Sequence, residues 1–107
     1  MIDLNFISKI SLEYSKAREK NRSVEKLTTL NLLKHCAAEV VEATEAYKDL
    51  SYVQDVDIYA EDNKKEFEGE LADIIMCVLI IAAYENTDIE EALKDCLEKN
   101  RKRAEMD

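Results

Sequence analysis

The chain has 107 residues, enough for one domain with a modest hydrophobic core. It contains no proline and one glycine, so few residues interrupt helices, and a nearly all-helical protein is expected. The formal net charge of −9 argues against a nucleic-acid polymer as partner, because such binding needs a basic surface. A small phosphate ligand stays open, since a bound metal ion reverses the local charge.

Cysteine usage and hydropathy bear on the compartment. Cys36, Cys77 and Cys96 fall at apolar helical positions without paired spacing, which indicates free thiols in a reducing cytosol. The N-terminal region carries Asp3 and lacks the pattern of a signal peptide. The apolar run 74–83 is about half as long as a bilayer requires. We therefore expect a cytoplasmic protein with no membrane partner.

The first half of the chain predicts two helices. Apolar periodicity indicates an amphipathic helix over residues 3–20, with Ser8 on its polar side. Ser23 is then predicted to cap a second helix that runs over residues 24–50. Residues 51–62 lack a clear period and are interpreted as a connection with room for a short helical turn.

The second half predicts two more helices. Asn63 and Glu66 have the spacing of a capping box and predict a third helix that ends near Asn86. A second capping box, from Thr87 to Glu90, predicts the start of a fourth helix. That helix is expected to end in the basic tail 99–103, where cations complement the helix dipole.

The third predicted helix is apolar on every side over residues 74–83, and such a helix must be covered by several neighbours. Three other helices of so short a chain can cover it only marginally. We therefore expect a single all-α domain over residues 1–107, resembling a four-helix bundle. It should form a homodimer or homotetramer with this stretch in the subunit interface.

Two pairs of carboxylates interrupt stretches that otherwise read as buried helix. Glu39 and Glu42 form the first pair, and Glu70 and Asp73 form the second. Residues three apart share one face of a helix, and unpaired charges beside a core are costly. Most such pairs are solvated surface, but the apolar neighbours of both pairs favour a bound hard cation, Mg2+ or Mn2+. All four carboxylates are predicted metal ligands, placed to meet a phosphate.

The sequence around these pairs resembles the MazG-like all-α nucleoside triphosphate pyrophosphatases. Residues 39–46 are similar to the family's first acidic helix, and residues 70–75 to its second. Residues 88–92 and 97–103 are similar to the last helix and its Lys-Asn-x-x-Arg tail. The resemblance covers roughly residues 24–104, and the combination is more specific than either acidic pair alone.

The resemblance implies hydrolysis of a nucleoside triphosphate between the α- and β-phosphates, with release of a nucleoside monophosphate and pyrophosphate. Mg2+, with Mn2+ as a substitute, would neutralise the phosphates and activate a water molecule. The carboxylates expected to orient or deprotonate that water are Glu39, Glu42 and Glu45. The tail residues expected to hold the pyrophosphate are Lys99, Asn100 and Arg103.

This chain departs from the family pattern in two places. Cys96 stands where the family usually carries a lysine, and the chain has no tryptophan to recognise a base. Tyr14 or Tyr47 could stack on a base, although a packing role is favoured for both. His35 lies four residues before Glu39 on the same face, where a structural contact is favoured over a ligand role.

Other functions stay open from the sequence. A di-iron carboxylate bundle is disfavoured, because it needs two Glu-x-x-His motifs and the chain has one histidine. A non-enzymatic helical adaptor explains the length but leaves the acidic pairs unexplained. Phosphoribosyl-ATP pyrophosphatase is a related enzyme of similar size and a further candidate activity. A metal titration separates adaptor from enzyme, and a substrate panel separates the siblings.

Overall fold

The computed structural model describes residues 2–21, 26–52 and 57–106, which contain four helices and no strand. The helices are α1 (Leu4–Asn21), α2 (Thr29–Tyr52), α3 (Asp57–Tyr84) and α4 (Ile89–Met106). The predicted all-α class and number of helices are confirmed. The predicted boundaries of α1 also agree with the structure to within a residue.

Helix α2 begins later than the sequence predicted. Thr28 caps it, because the Thr28 hydroxyl oxygen accepts a hydrogen bond from the backbone N–H of Asn31 at 3.1 Å. The backbone carbonyl of Thr28 accepts the first helical hydrogen bond, from Leu32, at 2.9 Å. The predicted cap, Ser23, lies outside the described residues.

Helix α3 begins earlier than predicted, at Asp57. Asn63 and Glu66 therefore lie inside the helix, and their interpretation as a capping box was wrong. Spacing alone misled, since residues three apart are also neighbours in the interior of a helix. The predicted connection over 51–62 is largely helical as well, with residues 53–56 outside the described part.

The turn between α3 and α4 depends on Asn86, whose φ of 56° lies in the left-handed region that asparagine tolerates. Asn86 N–H donates to the carbonyl of Ala83 at 3.1 Å, and Thr87 N–H donates to that of Ala82 at 2.7 Å. This pair of bonds is the Schellman arrangement that closes a helix C-terminus. The predicted end of α3 near Asn86 thus has a local cause.

Helix α4 is capped one residue later than the predicted capping box. The Asp88 carboxylate, rather than Thr87, accepts the backbone N–H of Glu91 at 3.1 Å. The Asn5 side-chain amide donates to the same carboxylate at 3.1 Å and ties the beginning of α1 to this turn. These bonds lower the pKa of Asp88, with the bond from Asn5 as the largest cause.

Helix α3 lies at the centre and packs against both α1 and α2. Helices α2 and α3 run in opposite directions, as two contacts between them show. The Thr29 hydroxyl donates to the Glu85 carboxylate at one end, and the Tyr47 and Phe67 rings lie 5.6 Å apart at the other. The antiparallel arrangement of α2 and α3 places the middle of each helix opposite the middle of the other.

Serines of α1 face the core. Ser8, Ser11 and Ser15 are buried around Leu12, and the Ser8 hydroxyl donates to the backbone carbonyl of Leu79. The placement of Ser8 on the polar side was wrong. Small side chains at these positions let α1 approach α3 closely, which a hydropathy pattern does not reveal.

The chain leaves much apolar surface open. Helix α4, described over its whole length, buries no residue, and Leu97 is 69% exposed. On α3, Ile75 is 57% exposed although it belongs to the run 74–83. The radius of gyration is 16.9 Å, whereas a compact domain of this length has a value of about 13 Å. The four helices of one chain therefore do not close a bundle around this surface.

Candidate metal centre and adjoining cleft

Helices α2 and α3 bring three of the four predicted ligands together. The carboxylate oxygens of Glu39, Glu70 and Asp73 lie within 4.8 Å of one another. Glu39 comes from the middle of α2, and the other two come from the facing part of α3. Because the helices run antiparallel and in contact, two acidic pairs that lie far apart in sequence converge.

Glu42 lies beside this group of three without belonging to it. Its negative charge contributes to raising the pKa of both Glu39 and Glu70. Glu45, one turn further along α2, is exposed and pairs with Lys48 at 3.4 Å. The structure thus places Glu42 near the candidate centre and leaves Glu45 on the solvent side.

The electrostatics of the group favour a bound cation. Glu39 is only 9% exposed, and Oε2 of Glu39 and Oε2 of Glu70 have no hydrogen-bond partner among the described residues. Burial, followed by repulsion from Glu42, raises the pKa of both carboxyls above the ordinary value of 4.5. A hard divalent cation binds through oxygen and would satisfy both buried atoms, so these residues fit Mg2+ or Mn2+.

A cleft of about 630 Å³ adjoins the carboxylates, a size typical of small-molecule sites. It opens between α1 and α2 above α3, and Glu39 and Asp73 form part of its wall. The apolar residues of the lining are Leu27, Leu32, Met76 and Ile80. The other polar residues of the lining are Ser15, Arg18, Glu19, Lys26, Asn31 and His35. The cleft therefore joins an acidic end to an amphipathic lining.

The family comparison agrees with this geometry. The model of the MazG nucleotide pyrophosphohydrolase domain matches residues 25–106, which include both acidic pairs and the basic tail. The chain belongs to the MazG nucleotide pyrophosphohydrolase family. The resemblance inferred from the sequence is confirmed. No curated protein and no solved structure matches the chain.

The MazG family typically depends on a divalent metal ion, and the structure offers a group of carboxylates that can hold one. Family membership supports a nucleotide as the substrate. In the described part of this MazG chain, no helix has the length and hydropathy needed to cross a membrane.

Two cations that line the cleft were missed by the sequence analysis. Arg18 lines the cleft from α1, where its guanidinium donates to the Ser15 hydroxyl at 3.3 Å. Lys26 lines it from the segment before α2, and its backbone carbonyl accepts a hydrogen bond from the Asn31 amide at 2.9 Å. No sequence motif marks these residues, since only the packing of α1 and α2 against α3 places them in one cleft with the acids.

The basic tail of the MazG domain lies elsewhere within one chain. Lys99, Asn100 and Arg103 are exposed on α4, and none of them lines the cleft. Helix α4 packs chiefly against α1, near the hydrogen bond between Asn5 N–H and the Glu90 carboxylate at 3.3 Å. Their contact with pyrophosphate stays a prediction. Within a single chain these residues do not reach the cleft.

Neither candidate base-stacking tyrosine lines the cleft. Tyr14 is exposed on α1, and Tyr47 packs its ring against Phe67. Tyr47 is 53% exposed, so the favoured core or interface role for it stays a prediction. His35 does line the cleft and makes the expected contact, with its Nε2 3.2 Å from Oε1 of Glu39.

Proposed function

We propose that this protein is a Mg2+-dependent nucleoside triphosphate pyrophosphohydrolase, which cleaves an NTP or dNTP between the α- and β-phosphates. The products would be a nucleoside monophosphate and pyrophosphate. The observation that carries the proposal is the convergence of Glu39, Glu70 and Asp73, with buried unpaired oxygens, beside a cleft of nucleoside size. Membership of the MazG family supports the reaction class.

The carboxylates have distinct roles in this proposal. Glu39, Glu70 and Asp73 would hold the cation, with Glu42 as a fourth ligand after a side-chain rotation. When bound, Mg2+ neutralises phosphate charge and lowers the pKa of a coordinated water. Glu42 is the favoured proton acceptor, because its carboxylate adjoins the group and is exposed. Glu45 is a second candidate, further away.

The cleft indicates how the nucleotide would lie. Its phosphate end would point towards Glu39 and Asp73, and the base would contact the apolar lining on the other side. Arg18 and Lys26 supply positive charge in the same cleft, which compensates a phosphate group or a polar edge of the base. The structure of one chain thus offers cations for substrate binding that the tail does not supply.

The proposed protein is cytoplasmic, has residues 1–107 as one domain and forms a homodimer or homotetramer. The exposed apolar surface supports the assembly. The exposed side of the run 74–83, with Ile75 and Val78, and the apolar face of α4 would be covered by a second subunit. Such an assembly would also carry Lys99, Asn100 and Arg103 of one subunit towards the cleft of another, where they could bind the pyrophosphate.

Product analysis on a panel of ribo- and deoxyribonucleoside triphosphates tests the reaction, with Mg2+, Mn2+ or chelator present. We expect monophosphate and pyrophosphate, lost on chelation. The double variant Glu39→Gln, Asp73→Asn should be inactive, whereas full activity in it contradicts the proposal.

The silent outcomes of the same panel are also informative. A folded protein without activity whose Tm still rises with Mg2+ would indicate another phosphate substrate, with phosphoribosyl-ATP tested first. A folded protein with neither activity nor a metal effect would favour a helical adaptor that binds through its exposed apolar face.

A further inference from the structure

A second group of metal-ligating side chains shares Glu39 with the carboxylates. One nitrogen of His35, one oxygen of Glu39 and the Sγ of Cys77 lie within 4.8 Å of one another. All three residues line the cleft, so an ion can reach them from solvent. The set contains one nitrogen, one oxygen and one sulfur donor, whereas the carboxylate group contains only oxygen.

We propose that His35, Glu39 and Cys77 bind a borderline-soft divalent cation, Zn2+, at a site distinct from that of the hard cation. Zn2+ takes nitrogen, oxygen and thiolate ligands in tetrahedral geometry, with bonds of about 2.0 to 2.3 Å. Donors of one ion then lie roughly 3.5 Å apart, so small side-chain rotations close the observed group around it. Three protein ligands leave the fourth position for water in the cleft.

A separate observation points to a cation at Glu39. Glu39 is a buried residue whose side chain is 12% exposed, and its Oε2 has no hydrogen-bond partner among the described residues. Its Oε1 already lies 3.2 Å from Nε2 of His35. Buried carboxylate oxygens without partners are costly. A cation coordinated by Glu39 would remove this cost.

A metal ion that binds Cys77 must displace the proton of its thiol. Burial, together with the negative charge of Glu39, raises the pKa of its thiol to about 11. Without metal the thiol is protonated and unreactive at neutral pH. Zn2+ replaces that proton, so the S–H bond breaks, a Zn–S bond forms and one H+ leaves to solvent. Binding should therefore release one proton per ion from Cys77.

The shared carboxylate gives the site a regulatory consequence, which rests on the proposed function. An ion held by His35, Glu39 and Cys77 takes Glu39 away from the carboxylate group. Zn2+ at the second site therefore opposes Mg2+ at the first, and it also occupies the acidic end of the cleft. Zn2+ should inhibit the Mg2+-supported reaction through Cys77.

The binding test uses Co2+ as a spectroscopic substitute for Zn2+, on the reduced full chain without substrate. All proteins carry Cys96→Ser, because the Cys96 thiol is exposed and would bind Co2+ by itself. We expect one Co2+ per chain with a thiolate-to-cobalt charge-transfer band that Zn2+ displaces. Cys77→Ser should abolish the band. His35→Gln should weaken Co2+ binding by at least about tenfold.

The matched control is Asp73→Asn, since Asp73 belongs only to the carboxylate group. It should keep the thiolate band while losing the increase in Tm caused by Mg2+. His35 is exposed, so His35→Gln keeps the test valid if a variant at buried Cys77 fails to fold.

Three outcomes overturn the proposal. They are a folded protein without a thiolate band, a band that persists in Cys77→Ser, and Co2+ binding that is unchanged in His35→Gln. An equal inhibition by Zn2+ of the wild type and of Cys77→Ser overturns the regulatory consequence alone. Because the spectra need no substrate, failure of the proposed enzymatic function leaves the binding result interpretable.

Discussion

Glu39 is the residue at which helix packing and site chemistry meet. Its side chain is buried between α2 and α3, with one oxygen near His35 and the other without a partner. Glu70 and Asp73 face it from α3. Such a cluster stabilises a bound cation and destabilises the metal-free fold, since desolvated carboxylates repel one another.

The stability of the metal-free protein should reflect this cost. Folding raises the pKa of Glu39 above 4.5, so from that pH upwards the folded chain holds more protons than the unfolded chain. The contribution of Glu39 is therefore fully present below pH 4.5 and is lost as the pH rises through the folded pKa. Glu39→Gln removes this loss, and at pH 7 with chelator the variant should melt above the wild type.

Melting curves of both proteins from pH 4 to pH 8 measure this difference. Their Tm values should converge at the acidic end and separate as the pH rises. With Mg2+ added, the wild-type Tm should rise more than that of the variant. A variant that melts below the wild type at pH 7 in chelator would show that the carboxylate is not a burden to the metal-free fold.

Measurements of kcat/KM should distinguish Asp73, which belongs to the carboxylate group, from Glu45, which lies outside it. Asp73→Asn removes a proposed ligand and should lower kcat/KM by at least about 100-fold, more than loss of an outer-shell partner usually costs. Glu45→Gln should have a much smaller effect, because Glu45 pairs with Lys48 on the solvent side. Steady-state release of pyrophosphate measures both. Equal losses would return Glu45 to the catalytic group.

At the scale of elements, α3 carries most of the organisation. It contacts both α1 and α2, contributes Glu70 and Asp73, and forms one side of the cleft. Gly69 lies in its interior, one residue before Glu70. A Cβ at Gly69 would meet no atom within 4 Å among the described residues, so the glycine serves no close approach in that part of the chain.

Gly69→Ala should therefore stabilise the protein, by about 0.5 to 1 kcal/mol, because alanine is the better helix former. Chemical denaturation measures the free energy of unfolding, and the turnover assay serves as the second measurement. Unchanged kcat/KM is expected. Lower activity or a weaker assembly would show that a substrate or a second subunit approaches the helix at this position.

A core position of α3 provides a contrast within the same helix. Leu79 is 4% exposed, and truncation to alanine should cost about 3 kcal/mol, since a cavity remains. Val78 is 41% exposed, and Val78→Ala should cost less than about 1 kcal/mol. Denaturant midpoints of the two variants test whether this face of α3 forms the core. Similar costs would show that Val78 is covered in solution.

At the scale of the whole molecule, the open arrangement of one chain is the main feature. The radius of gyration of 16.9 Å exceeds the value of about 13 Å for a compact domain. Helix α4 buries none of its residues, and Leu93 and Leu97 are both exposed on it. Exposed leucines along one helix are a feature that subunit interfaces cover.

Leu97→Gln should therefore weaken or abolish the assembly, by removing an apolar contact between subunits. Sedimentation velocity across a range of concentrations measures the mass, with a dimer or tetramer expected for the wild type. Lys102→Gln is the matched control, since residues five apart on α4 point to different faces. A monomeric wild type, or an assembly that Leu97→Gln leaves intact, would contradict the proposed interface.

Local sequence patterns determined the all-α class, the number of helices and the two acidic pairs. Helix formation and three-residue spacing are properties of neighbouring residues, so Glu39 and Asp73 were readable as site candidates. The family resemblance came from the same local segments. Boundaries were less accurate, because Thr28 and Asp88 compete as caps with neighbouring residues of similar chemistry.

Tertiary structure alone decided which distant residues meet. The antiparallel packing of α2 and α3 brought Cys77 to Glu39, which already had His35 beside it on the same helix, and the packing of α1 added Arg18 to the cleft. It also separated the basic tail from the acids within one chain. Contacts between residues so far apart in sequence depend on how helix faces fit together, and no local period records that fit.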